Sequence, residues 1–247
     1  MNFTAQDVKA LREKTGVGMM ECKKALTEAD GDMDKAIDYL RERGLAAAQK
    51  KAARIAAEGI VLSYADDAAK KGVVIEVNSE TDFVAKNDKF VQFVTDCAKT
   101  IVATGVKTVE ELTAAEYMGT GRTVSETLND LILAIGENMK IRRFEVMEGL
   151  LATYVHAGGS VGVMVGFDAA DESKAATAEF KDMGKNVAMQ IAAMNPPYLD
   201  EASVPADVIA HEKSILASQM KEDPKMASKP EAVLEKIAAG KMGKYYK

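Results

Sequence analysis

The sequence predicts an α+β protein: a three-helix unit at the N-terminus, two repeated α+β halves with antiparallel sheets, and a helical hairpin near the C-terminus. Three observations predict it. Apolar residues recur at helical spacing through residues 3–44; a strand, strand, helix pattern repeats at a constant shift of 90 residues; and the tail beyond Asn195-Pro196-Pro197 returns to helical spacing. The expected boundaries are 1–44 for the three-helix unit, 45–57 for a helical connector, 58–147 and 148–195 for the two halves, and 196–247 for the hairpin.

In the first unit, Thr4 is a candidate N-cap ahead of Val8 and Leu11, and Thr15-Gly16-Val17-Gly18 breaks the pattern. Met19, Cys22 and Leu26 mark a second helix and Asp30-Gly31-Asp32 a turn. Met33, Ala36, Ile37 and Leu40 mark a third, with Gly44 as its expected C-cap. About 40 residues is near the lower limit of independent stability. Such a unit has the size of a docking module and is too small to enclose an active site. The connector is rich in Ala and carries Lys50, Lys51 and Arg54 without Gly or Pro, which predicts helix.

The repeat aligns Glu58-Gly59-Ile60-Val61-Leu62-Ser63-Tyr64 with Glu148-Gly149-Leu150-Leu151-Ala152-Thr153-Tyr154. The same shift carries Gly72-Val73 onto Gly162-Val163, Phe90 onto Phe180, Ala98 onto Ala188 and Ile101 onto Ile191. Each copy reads strand, turn, strand, loop, helix. The second helix is expected to bury Phe180, Met183, Val187 and Ile191. Only the first copy continues, with a helix through Val124, Leu128, Leu131, Ile132 and Ile135 and a closing strand from Ile141 to Val146. In the tail, Val208, Ile209, Ile215, Leu216 and Met220 predict one helix. Val233, Leu234, Ile237 and Met242 predict another, with Pro224 and Pro230 as breaks.

Composition narrows the function. A net charge of −6 argues against a broad grip on nucleic acid, which requires a basic surface. No stretch approaches the roughly 20 apolar residues of a membrane helix. Asp7, Lys9, Arg12 and Glu13 interrupt any leader-like run, so a cytoplasmic location is expected. Cys22 and Cys97, far apart and each in a helical pattern, read as buried thiols. Two histidines, His156 and His211, and no Cys-x-x-Cys leave a zinc site almost without ligands, and no cofactor is expected. Gly158-Gly159-Ser160-Val161-Gly162 lacks the Lys-Ser/Thr of a phosphate loop and falls where the first copy has its inter-strand turn. Asp66 and Asp67 read as a polar turn. These patterns point away from an enzyme.

What remains is the loop Asn78-Ser79-Glu80-Thr81-Asp82-Phe83-Val84-Ala85-Lys86-Asn87-Asp88, expected to be polar and exposed. Phe83 either folds back onto the helix or protrudes as an aromatic anchor beside the carboxylate of Asp82. The second copy has Asp171-Glu172-Ser173-Lys174 there, so this chemistry belongs to one copy.

Thr15-Gly16-Val17-Gly18-Met19-Met20-Glu21-Cys22-Lys23-Lys24-Ala25-Leu26 and Val77-Asn78-Ser79-Glu80-Thr81-Asp82-Phe83-Val84-Ala85 resemble the two signatures of the elongation factor Ts family. The resemblance runs through essentially the whole chain. It implies a ubiquitin-associated-like N-terminal unit that docks on the GTPase elongation factor Tu, with Arg12, Met19 and Met20 at contact positions. It implies that Thr81, Asp82, Phe83 and Val84 intrude near the nucleotide site and dislodge Mg²⁺, and that His156 faces another domain of the partner. It implies a coiled-coil hairpin, which is also a candidate homodimer contact. The activity implied is guanine nucleotide exchange, without nucleic acid or membrane as partner. The alternative is an adaptor with a ubiquitin-associated-like head whose binding ignores nucleotide. The family usually continues past the hairpin with a strand and a helix that complete the second half. Here Lys241-Met242-Gly243-Lys244-Tyr245-Tyr246-Lys247 stands last, so either the chain is truncated or the second sheet keeps an open edge.

Overall fold

The computed structural model describes residues 2–223 and 229–246. Helix α1 (Ala5–Thr15) is started by a capping box in which Thr4 and Asp7 exchange hydrogen bonds, and is closed by Gly16 in the left-handed conformation. Helix α2 spans Met19–Glu28. Helix α3 (Met33–Lys51) is N-capped by Asp32, whose carboxylate accepts from the Asp34 and Lys35 amides. Val8, Leu11, Val17, Cys22, Ala25, Leu26, Ala36 and Leu40 are buried among these three helices.

Gly44 does not end α3. The helix continues over Met33–Lys51, absorbing the first part of the expected connector, while residues 52–57 are turn and extended chain. Gly44 is buried inside the helix, where an added Cβ would stand 3.2 Å from the Asn129 carbonyl oxygen. The residue read as a stop signal is instead the point where α3 crosses the helix Val124–Ile135 at close range.

The first half contains β1 (Glu58–Asp66), β2 (Lys71–Ser79), α4 (Asp82–Ala85), α5 (Asp88–Thr104), α6 (Val109–Ala114), α7 (Val124–Ile135) and β3 (Met139–Glu148). Its sheet has the order β1-β2-β3, all antiparallel, with a register shift in β2–β3 between Glu76 and Val77. The short α6, set by a Thr108–Glu111 capping box, was not expected from apolar spacing. Strand alternation sends Val73, Ile75 and Val77 toward Phe90, Val94, Cys97 and Ile101 of α5, and this is the main core.

The second half contains β4 (Leu150–His156), β5 (Val161–Phe167), a 3₁₀ turn over Glu172–Ala176, and α8 (Ala178–Met194). Helix α8 has the bounds of α5 shifted by 90 residues. The two sheets pack against each other. An added Cβ on Gly72 would lie 2.7 Å from both Leu151 and Met164; one on Gly162 would lie 2.5 Å from Val61 and 3.5 Å from Val74. Leu151 and Met164 are the shifted counterparts of Val61 and Val74, so each copy offers the other the same self-complementary patch. The paired glycines let the sheets approach closely.

The second copy is the barer one. Among the described residues β5 pairs only with β4. In α8 the expected stripe is corrected: Met183 is 41% exposed, and Gly184 and Ala188 are the buried residues. They correspond to Val94 and Ala98 of α5 and face the sheet through Ala152 and Phe167, with Phe180 edge-on to Phe167 at 5.5 Å. A cleft of about 430 Å³ opens along β4 and α8 beside Leu151, Phe180 and Lys185. With small residues inward, α8 buries far less than α5.

Residues from Met194 onward form a separate compact unit. Asp200 caps a 3₁₀ turn at Glu201–Ser203, and α9 (Ala206–Glu222) packs on α10 (Glu231–Tyr245). Pro224, read as a break, lies outside the described residues.

Cys22 and Cys97 are both free and buried, and burial pushes both thiols upward. They sit in different cores, so they report on different parts of the molecule. Under rising denaturant with a pulse of alkylating reagent, Cys22 should label first, because its core is the smaller. Cys97 should label only with the main unfolding transition, read by mass spectrometry of the two peptides. Labelling of Cys97 before Cys22 would reverse this order of stability.

Candidate functional site

The segment after β2 is less of a loop than expected. Asn78 and Ser79 are buried at the strand end, where the Asn78 amide donates to the Glu58 carbonyl. Residues Asp82–Ala85 form α4, a single helical turn N-capped by Thr81, whose Oγ1 accepts from the Val84 amide. Val84 and Ala85 turn inward and join the main core at 6% and 8% exposure. Val84, grouped with the intruding residues on sequence grounds, is therefore a root of the tip and offers no side-chain surface. Successive side chains on a helix are turned by about 100°, so with Val84 and Ala85 both directed into the core, Phe83 falls on the outer side of the turn.

Phe83 is the outward residue. Its ring is 81% exposed, a large apolar surface that the fold leaves in water. The reading in which it folds back onto the helix is excluded. Asp82 stands beside it, and its carboxylate meets the Lys86 ammonium at 2.7 Å. The hydrogen bond from Lys86, with its charge, holds the Asp82 carboxyl below the usual carboxylate range. The tip thus presents an aromatic ring and an ionised carboxylate partly satisfied by its own lysine.

Two acidic residues that the sequence did not single out support the tip. Glu137, in the turn between α7 and β3, accepts the Thr81 backbone amide at 3.1 Å with one oxygen and the Thr81 hydroxyl at 2.8 Å with the other. Glu80 accepts the Asn138 amide at 2.6 Å and meets the Arg54 guanidinium at 3.5 Å, while the Asn138 side chain donates to the Arg54 carbonyl at 2.8 Å. The only local signal was Glu137-Asn138 following the helix-closing Gly136, which reads as an ordinary polar turn. In the second copy Phe83 corresponds to Ser173, and the 3₁₀ turn there carries no aromatic.

The other sequence-selected residues lie elsewhere. Met20 is 78% and Met19 42% exposed on the first turn of α2. Arg12 is exposed near the end of α1, close enough to Cys22 to act on its thiol electrostatically. His156 ends β4 in an exposed position, its Nδ1 2.9 Å from the Tyr154 hydroxyl. Among the described residues no three His, Cys, Asp or Glu side chains gather as a metal site. No described helix is long and apolar enough to cross a membrane.

An aromatic on a braced tip and flexible thioethers on a helix are surfaces that meet other proteins. The family model described as Elongation factor TS matches residues 80–247. Elongation factor Ts of Magnetococcus marinus is 47% identical over 249 residues, covering 100% of this chain and 79% of that protein. Elongation factor Ts of Clostridium kluyveri is 49% identical, covering 99% of this chain and 79% of its own length. That of Nautilia profundicola is 48% identical, covering 99% and 78%. The chain belongs to the elongation factor Ts family, and is thereby a translation elongation factor.

Proposed function

We propose that this chain is a guanine nucleotide exchange factor that binds elongation factor Tu carrying GDP, loosens its Mg²⁺ and promotes GDP release. The observation that carries the reading is Phe83, 81% exposed on a tip whose neighbours are buried or hydrogen-bonded. The N-terminal three helices serve as a ubiquitin-associated-like head that docks through Arg12, Met19 and Met20. His156 contacts a second region of the partner, and the hairpin acts as a coiled-coil protrusion. The setting is the cytoplasm.

The mechanism is linkage. A ligand shifts an equilibrium only through its differential affinity for two states. If the tip fits only the partner whose phosphate-binding elements are displaced, factor and GDP weaken each other by the same factor. Excess nucleotide then dissolves the complex, and no covalent step is needed. The direct test is release of labelled GDP from elongation factor Tu with and without this chain; unchanged release would remove the proposal.

Asp82 has a narrower role than its charge suggests. A carboxylate near a phosphate-bound Mg²⁺ is as apt to ligate the ion as to expel it. Displacement follows more naturally if the ring moves the partner's backbone and spoils the octahedral geometry that Mg²⁺ demands. Asp82→Asn should therefore retain exchange within about threefold, and chelating Mg²⁺ should shrink the factor's advantage over spontaneous release. Equal acceleration with and without Mg²⁺ would take metal displacement out of the mechanism.

A further inference from the structure

Helix α4 is one turn long, and a helix of four residues has no stability of its own in water. Its outward ring makes no core contact that would hold it. Val84 and Ala85 root it from below, but buried roots alone leave the N-terminal end, where Asp82 and Phe83 stand, free to unwind. The group that closes that end comes from far along the chain. Glu137 takes both the amide and the hydroxyl of Thr81, and the same hydroxyl caps the turn through Val84. A carboxylate engaged by two donors in this way is stronger and more directional than a neutral acceptor.

We propose that Glu137 is a positioning residue for exchange: it fixes the one-turn tip so that Phe83 reaches the partner in a set place. The inference rests on the reading of Phe83 as the intruding group. The position of Glu137 gives it further meaning. It follows α7 by one residue beyond Gly136, and α7 carries Leu133 and Ala134 into the core of the N-terminal helices and meets Gly44 of α3. The helix that supports the docking head thus also ends in the brace of the tip. Head and tip are mounted on one rigid element, so docking delivers the ring to a defined distance instead of a diffuse zone. Misplacing a group by about 1 Å can cost 10²-fold in rate.

The test is steady-state exchange on elongation factor Tu, separating kcat from KM for the GDP complex, together with thermal melting of each variant. Glu137→Ala should lower kcat about 10- to 100-fold with KM within about threefold, because the head still docks. Glu137→Gln should restore most of the rate, since the amide oxygen accepts from the Thr81 amide and its NH₂ donates to the hydroxyl. Thr81→Val removes the hydroxyl half of the contact together with the cap on the Val84 amide, while the backbone amide of residue 81 still meets Glu137, so it should slow exchange even if Glu137→Ala folds poorly. In a double-mutant cycle, Glu137→Ala should change the rate of Phe83→Ala by less than about twofold, because a brace has nothing left to position. Multiplicative loss in that cycle, or full activity of both Glu137→Ala and Thr81→Val, would overturn the proposal. If Phe83→Ala alone exchanged normally, the reading of the tip itself would fall first, and the inference with it.

Discussion

Phe83→Ala should abolish most exchange activity and leave the fold untouched. The two halves of this expectation rest on one number. At 81% exposure the ring contributes little to the core, so the change in stability should stay within about 0.5 kcal/mol, the range of ordinary surface substitutions. Had Phe83 folded under the loop, its loss would have cost about 3–5 kcal/mol. At a protein interface the same ring is the type of side chain whose truncation removes 2 kcal/mol or more, roughly a 30-fold effect, when it fills a partner pocket. GDP release and melting measured on one preparation separate the cases. Slowed release with an unchanged melt supports the wedge. A lowered melt would contradict the geometry of α4, and normal release with a normal melt would mean that the ring meets nothing relevant.

Removal of residues 1–44 should produce the second large effect, and the structure changes what is expected of it. From sequence, the three helices carry their own small core, so their loss should weaken docking and leave the remaining body nearly as stable. The buried set Val8, Leu11, Cys22, Leu26 and Leu40 agrees with an internal core. Yet Leu133 and Ala134 of α7 pack into it, and α3 runs on to Lys51. The deletion would cut that helix and uncover one face of α7. Exposing a largely covered leucine with its neighbour should cost about 2 kcal/mol, or roughly 4–8 °C in melting for a body of this size. The remainder should still unfold cooperatively, because Phe90, Val94, Ile101 and the strand residues facing them belong to one core cluster whose buried members all lie beyond residue 44. Affinity for the partner should fall at least tenfold with the loss of Arg12, Met19 and Met20. Collapse of the whole fold would show that the head is part of the main body. Unchanged affinity would place docking elsewhere.

The repeat shows how far a sequence can reach. A constant shift of 90 residues marked both pairs of strands and both long helices, and α5 and α8 share bounds under that shift. The third strand of the first copy, β3, was also legible, because strands announce themselves by local alternation. The pattern said nothing of how the copies meet. That Gly72 and Gly162 each receive a shifted pair of side chains from the other copy is a contact across some 90 residues, and no local rule encodes it. Met183 was placed inside because it fell on the apolar stripe, but helical period alone cannot tell which edge of a wide stripe faces the sheet. Close packing chose Gly184 and Ala188 instead.

The candidate site divides the same way. Apart from Met19 and Met20, which only the family resemblance marked, the sequence by itself determined which side chains could serve: an aromatic beside a carboxylate in one copy only, and few groups for covalent chemistry. These are matters of residue type and spacing. The tertiary structure decided which of them are available. It buried Val84 and freed Phe83 on a single helical turn, and it turned Gly44 from an expected helix end into a crossing point. It also brought Glu137 across 56 residues of chain to close the tip that Thr81 begins. Exposure and long-range hydrogen bonding depend on which surfaces pack together, and that choice is made by the whole core at once.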